Sequence, residues 1–407
     1  MSADGSGDVD ATLTSGSFHD VDWESLDAGP ARPGVGTLAF VGVTVLLTLA
    51  FAWTWAGFPF DDAVGGLETL DGLLRPFSRI DWAMTFAGIV ACYLGVTLVD
   101  GRRLGEYATR LRCRPVGLLS VVGVGTFLLV GAVAPLVVGD PVVRPAASYQ
   151  PPVGFGVDAA RVYSCVGPVV EGRCLGSLQH PLGTTFEGHD VLNYVLVGTR
   201  VAFELAVVTT AIIVPVAVTV GTTAAYLGGL ADELLMGLTD AVGTIPPFVA
   251  YVVVRFVLGE GGDMLLLVAM FGLLGWAGVA RAVRSAVLQR RESLYVAASE
   301  AAGGSRRWIA RRHVLPNVGA TIVATTANRV ATLVLTEAAL SYLGLGAPQV
   351  TSWGTLVADG ISGQTLARLL GIWWVSAVPA LALALTVVCI SLFGDTVEEL
   401  VDPRRGT

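Results

Sequence analysis

The chain has 407 residues, 53% of them hydrophobic and 14% charged, no lysine, and a formal net charge of −8. Its mean hydropathy is +0.68, which excludes a soluble globular domain and indicates a membrane protein. The apolar runs are long and do not alternate in segments of about ten residues, so a transmembrane barrel is excluded as well and the fold class is all-α.

Residues 1–34 are rich in Gly, Ser and acidic side chains (Asp4, Asp8, Asp10, Asp20, Asp22, Glu24) and read as an acidic disordered tail. A secretory signal would need a positive segment there. Eight windows then hold roughly 18 or more nearly uncharged residues, about what a helix needs to cross a ~30 Å hydrocarbon layer. They are Val35–Trp55, Trp82–Val99, Val116–Val138, Val201–Leu227, Val242–Leu258, Met264–Ala280, Val318–Leu343 and Ile372–Phe393. The first three make an amino-terminal group over 35–138. Surplus carboxylates without lysine suggest a high-salt (halophile) source, where negative charge keeps a protein soluble.

Arginine placement gives an orientation, because short cytoplasmic loops hold the positive charge. Arg102, Arg103, Arg110, Arg112 and Arg114 follow the second window; Arg281, Arg284, Arg290, Arg291, Arg306, Arg307, Arg311 and Arg312 follow the sixth. Windows three to six separate the two groups by an even number of crossings, so both lie inside. Both termini are then cytoplasmic, and residues 58–81, 139–200 and 344–371 face outward. Cys165 and Cys174, in SCVGPVVEGRC, fall in that long outer loop. An oxidising exterior favours a disulfide between them, with two unpaired thiols as the alternative; a metal pair lacks the short C-x2-C spacing.

After the sixth window comes ESLYVAASEAAGGSRRWIARRHVLPN (292–317). Helix formers reach Ala302, Gly303-Gly304 permits a sharp turn, Ser305 can cap a second short helix, and Pro316 is expected to end it. Small residues (Ala297, Ala298, Ser299, Ala301, Ala302) admit a close neighbour, and Tyr295, Val296, Trp308 and Ile309 can fill a pocket. The stretch is then either a knob for a partner's groove or a solvated basic loop.

Here the chain resembles the membrane-spanning permease subunits of ABC importers, whose cytoplasmic signature is E-A-A-x3-G-x9-[IH]-x-L-P. Nine residues separate Gly303 from His313-Val314-Leu315-Pro316. The E-A-A positions are Ala297-Ala298-Ser299, so the usual glutamate is absent and Glu300 is the nearest carboxylate. The resemblance covers about 180–405 and points to the dipeptide/oligopeptide/nickel branch. HPLGTTFEGHDV (180–191) is similar to its H-P-x-G-T-D-x-x-G-R-D-V, with Thr185 for Asp and His189 for Arg. YLGGLADELLMGLTD, GWAGVARAVRSAVLQRRESLYV, TEAALSYLGLG, SWGTLVADG and LFGDTVEELVDPR follow in the family's order.

The resemblance implies a permease domain over 180–405, with a core of five to six helices, preceded by an extracytoplasmic loop at 139–179. It implies an assembly in the plasma membrane: a second permease subunit, two cytoplasmic ATPase subunits and an extracytoplasmic solute-binding protein, with no nucleic acid. The solute it implies is a di- or oligopeptide first, nickel second. The 295–317 loop becomes the element coupling ATPase closure to the path, through Tyr295, Ala297, Ala298, Ser299, Glu300, Gly303, His313, Leu315 and Pro316. The chain is not expected to be an enzyme. A P-loop needs a lysine and none is present, so ATP and Mg belong to the partners and no cofactor is expected here. A secondary transporter or channel is the competing reading; it would show inverted repeats, broken helices and carboxylate relays.

Two charges, Arg329 and Glu337, stand within the seventh window, eight residues and about 12 Å apart, too far for direct pairing. Both are candidates for the translocation path. Arg329 either attracts an anionic group on the solute, or caps carbonyls or pairs with the second permease. No catalytic residue is assigned, and His180, Glu187, His189 and Asp190 lack the spacings of a structural metal site.

Overall fold

A computed structural model of the chain describes residues 40–48, 79–98, 104–139, 141–258, 264–347, 350–361 and 371–401. The acidic tail, most of the first apolar window, Arg102, Arg103 and residues 402–407 lie outside these. The chain divides into two units, Met1–Thr48 and Leu49–Thr407. In the first, residues 40–48 are helical; the rest of the description concerns the second.

Its helices are α1 (Arg79–Leu98), α2 (Leu104–Arg112), α3 (Pro115–Val137), α4 (Val191–Leu227), α5 (Gly229–Gly243), α6 (Pro247–Leu258), α7 (Met264–Arg291), α8 (Leu294–Ala301), α9 (Arg306–Ile309), α10 (Leu315–Tyr342), α11 (Trp353–Ile361) and α12 (Trp374–Val401). Among the described residues five helices are long and apolar enough to cross a membrane, within α3, α4, α7, α10 and α12. The α5–α6 pair makes a sixth if its two halves are one span. The protein is thus an all-α membrane protein with a small strand-bearing lobe.

Where apolar windows and helices differ, local chemistry explains it. α4 begins at Val191 because Asp190 caps it, its Oδ1 accepting the N–H groups of Leu192 (2.9 Å) and Asn193 (3.2 Å). The Val242–Leu258 window is not one helix. α5 and α6 meet at 66°, because Pro246 and Pro247 supply no N–H and disfavour helical backbone in the residues before them.

α4 and α7 form the most extensive helix pair, and α10 packs on α12. At Gly221 a methyl group would stand 2.6 Å from the Ala280 carbonyl, so only glycine allows the α4 and α7 backbones this close. Leu205, Ile213, Leu267, Phe271 and Val334 are fully enclosed. Ion pairs stitch the helices. Arg284 holds Asp232 with two bonds (2.6 and 2.5 Å) and Arg281 holds Asp240 at 2.9 Å, tying α5 to α7. Arg200 joins α4 to α1 through Asp81.

Residues 141–190 form a lobe at one end of the bundle. The sequence showed only a loop there, since its strands have two or three residues each, too few for a visible alternation. β1 (Gly156–Asp158), β2 (Val169–Val170) and β3 (Arg173–Leu175) make an antiparallel sheet in the order β1-β3-β2. A disulfide joins Cys165 to Cys174, Cα atoms 5.7 Å apart. The lobe's own apolar cluster, with Tyr149, Val162 and Cys174, continues into Trp374 and Val375 of α12.

Candidate functional site

The loop between α7 and α10 is a pinned helical hairpin. Just past the end of α8 stands Gly303, whose φ of +84° is left-handed, and the N–H groups of Gly303 and Gly304 return to the carbonyls of Glu300 and Ser299, both at 3.0 Å. That reversal is the glycine-dependent closure common at helix ends. Ser305 Oγ then accepts the Trp308 N–H at 3.4 Å at the start of α9.

Pro316 does not end this helix, contrary to expectation. The chain widens into a π turn over Ala310–Val314, with the Leu315 N–H reaching the Ala310 carbonyl, and continues into α10. Moving to i→i+5 bonding accommodates a proline that has no N–H for Arg312. Asn317 Nδ2 donates to the His313 carbonyl at 2.6 Å, satisfying another acceptor in the turn.

Of the four side chains expected to fill a partner's pocket, two point inward: Val296 and Ile309 are buried and, with Val314, anchor the hairpin to the bundle. Tyr295 and Trp308 are exposed, and so is Leu294 at 89%, an apolar residue that no motif marks. Ala297, Ala298, Glu300 and Gly303 are also exposed. Ser299 is half-buried and donates to the Tyr295 carbonyl at 2.8 Å. His313 lies edge-on to Trp308, ring centres 4.9 Å apart, and half-buried Leu315 opens α10. The result is a firm turn offering small residues and large apolar side chains together, a shape suited to a groove.

Arg329 and Glu337 are placed differently. Glu337 is 4% exposed and its Oε1 accepts the Ser341 hydroxyl at 2.7 Å, where Gly354 of α11 closes on the Ala338 carbonyl. Arg329 is half-buried beside Gly275 of α7, its Nε has no hydrogen bond, and no ion pair reaches it among the described residues. Arg255 donates to the Gly346 carbonyl in the α10–α11 connection.

The HPLGTTFEGHDV motif is a clasp between lobe and bundle. His180 Nδ1 meets Asp190, the α4 cap, at 2.8 Å, and the Trp374 indole donates to the Thr184 carbonyl at 3.1 Å. Thr185 Oγ1 accepts the His189 N–H (3.2 Å), while His189 Nε2 meets Glu187 at 3.0 Å. Partial burial pushes the Asp359 carboxyl above its ordinary range; Glu187 adds to this and His189 opposes it. Among the described residues no group of three His, Cys, Asp or Glu side chains could hold a metal ion.

Residues 217–407 match the family described as binding-protein-dependent transport system inner membrane component. The oligopeptide transport system permease protein OppC of Mycobacterium tuberculosis (strain H37Rv) is 34% identical over 234 residues, covering 56% of this chain and 79% of that protein. The dipeptide transport system permease protein DppC of Bacillus subtilis is 31% identical over 230 residues, 56% of this chain and 70% of that protein. The glutathione transport system permease protein GsiD of Pectobacterium atrosepticum is 29% identical over 230 residues, 56% and 74% respectively. A multi-pass helical bundle and a relative 34% identical, matched over more than two thirds of its length, lead to one conclusion: the chain belongs to the binding-protein-dependent permeases of ABC importers, in the peptide branch.

Proposed function

We propose that the chain is one wall of an ATP-driven importer of di- or oligopeptides in the plasma membrane, acting with a second permease subunit, two cytoplasmic ATPase subunits and an extracytoplasmic solute-binding protein. The arginine-rich hairpin faces the cytoplasm, as do both termini, and the disulfide-bearing lobe faces outward. ATP and Mg are held by the ATPases, and this chain performs no chemistry of its own.

The observation that carries the reading is the hairpin. Leu294, Tyr295 and Trp308 stand exposed around Ala297 and Ala298, while Val296, Ile309 and Val314 are locked into the bundle. A groove closing on that face would move α7 and α10 as a unit, because the hairpin is continuous with both. Glu300 with Arg306, Arg311 and Arg312, all exposed, are charges available to a partner in place of the missing glutamate at Ala297.

The broken α5–α6 pair favours the competing secondary transporter, which uses such interruptions at its binding site. Affinity purification from detergent-solubilised membranes, followed by peptide uptake into proteoliposomes, separates the two. The importer reading requires two copies of an ATP-hydrolysing subunit to copurify and uptake to need ATP. Uptake driven by an ion gradient without such subunits would sink it.

A further inference from the structure

α10 carries a polar stripe through its centre. Thr325, Asn328, Arg329, Thr332 and Thr336 fall within an arc of roughly 100° at 3.6 residues per turn, opposite the buried face formed by Val330, Val334, Glu337 and Ser341. Arg329 stands near the midpoint of the Leu315–Tyr342 helix. The hydroxyls of Thr325, Thr332 and Thr336 already donate to the carbonyls one turn back, at 2.7, 2.9 and 2.7 Å. Two groups are left over. The exposed Asn328 side chain has no hydrogen bond among the described residues, and Arg329 has neither an ion pair nor a partner for Nε.

An unpaired amide and guanidinium at mid-membrane are costly against lipid, so this face meets water or protein. A single pair with a neighbouring subunit would need one polar residue in an apolar surround. Instead the stripe runs from Thr325 to Thr336, about three turns, the form of a wetted wall. Its free donors are cationic or neutral N–H groups, and what matches them is a carboxylate, which guanidinium binds with paired hydrogen bonds.

We propose that Asn328 and Arg329 form a carboxylate-recognition site on the wall of the translocation path, giving preference to peptides with a free carboxylate. This rests on the importer reading above.

The test uses the complete transporter in proteoliposomes, with labelled trialanine, trialanine amide and Ala-Glu-Ala amide as probes. The binding protein is the same throughout, so its own preference cancels between variants. Arg329→Gln should lower the trialanine-to-amide rate ratio about 10-fold, the scale of losing a charged hydrogen bond. Arg329→Lys should restore part of it, as a point charge without the fork, and Asn328→Ala should shift it the same way by less. A matching loss for Ala-Glu-Ala amide assigns the site to any carboxylate, and its absence assigns it to the peptide terminus. An unchanged ratio in both Arg329→Gln and Asn328→Ala overturns the proposal. So does loss of the second permease from otherwise folded Arg329→Gln, which would make the guanidinium an interface group. If wild type shows no ATP-dependent uptake of any probe, the importer reading itself fails.

Discussion

Glu337 and Arg329 share a helix, yet their surroundings assign them different work. Glu337 is enclosed with Ser341 at the α10–α11 contact, so Glu337→Ala strands a buried hydroxyl and should destabilise by about 1–3 kcal/mol, with Glu337→Gln costing less. Thermal unfolding in detergent measures both. Asp359 offers a pH test. Its raised pKa means that ionisation is harder in the folded state, so the stability it contributes below its unfolded pKa is lost as pH rises through the folded value. Asp359→Asn should therefore unfold at higher temperature than wild type at neutral pH, and the gap should close in acid. At this scale the sequence displayed Arg281 and Arg284 only as cytoplasmic positive charge. Their partners Asp240 and Asp232 lie 41 and 52 residues away on α5, a separation that no local pattern reveals.

Among elements, the hairpin at 292–317 was the most legible, because Gly303 must adopt left-handed backbone there and the spacing from it to Leu315-Pro316 is local. The π turn was not legible: proline predicts a break in helical bonding, and a neighbouring i→i+5 register repairs it without any residue that announces the repair. Which of the hairpin's apolar residues face out was equally hidden, since Val296 and Trp308 are both large and apolar and only packing separates them. Trp308→Ala should weaken ATPase association by about 2 kcal/mol, roughly 30-fold, if Trp308 is an interface anchor; titration of the permease with the isolated ATPase subunits reads this. Gly221→Ala forces a methyl against the Ala280 carbonyl and should cost about 1–3 kcal/mol of stability by overpacking α4 on α7.

Over the whole molecule, hydropathy located the spans from α3 onward, because the length of an apolar run is fixed by bilayer thickness; of the eight windows expected, the first lies mostly outside the described residues and α1 is not among the five helices long and apolar enough to cross. The Val242–Leu258 window covers a 66° break, which Pro246-Pro247 announces as a kink though hydropathy does not, and hydropathy passes over the 141–190 sheet, whose register depends on long-range pairing. In that lobe Cys165 and Cys174 are legible through compartment and spacing, and the 180–191 motif through its resemblance. Replacing both with serine should loosen the lobe by about 2–4 kcal/mol, seen as faster proteolysis within 156–176 and little change in the bundle.

In the importer proposed above, ATPase motion enters through the hairpin. Cysteine placed at exposed Ala298 tests it most directly, by cross-linking in assembled membranes with and without nucleotide. The expected result is a cross-link to an ATP-hydrolysing subunit whose yield changes with nucleotide. Free labelling of that cysteine by soluble maleimide in the intact complex, with no cross-link in either state, would contradict it.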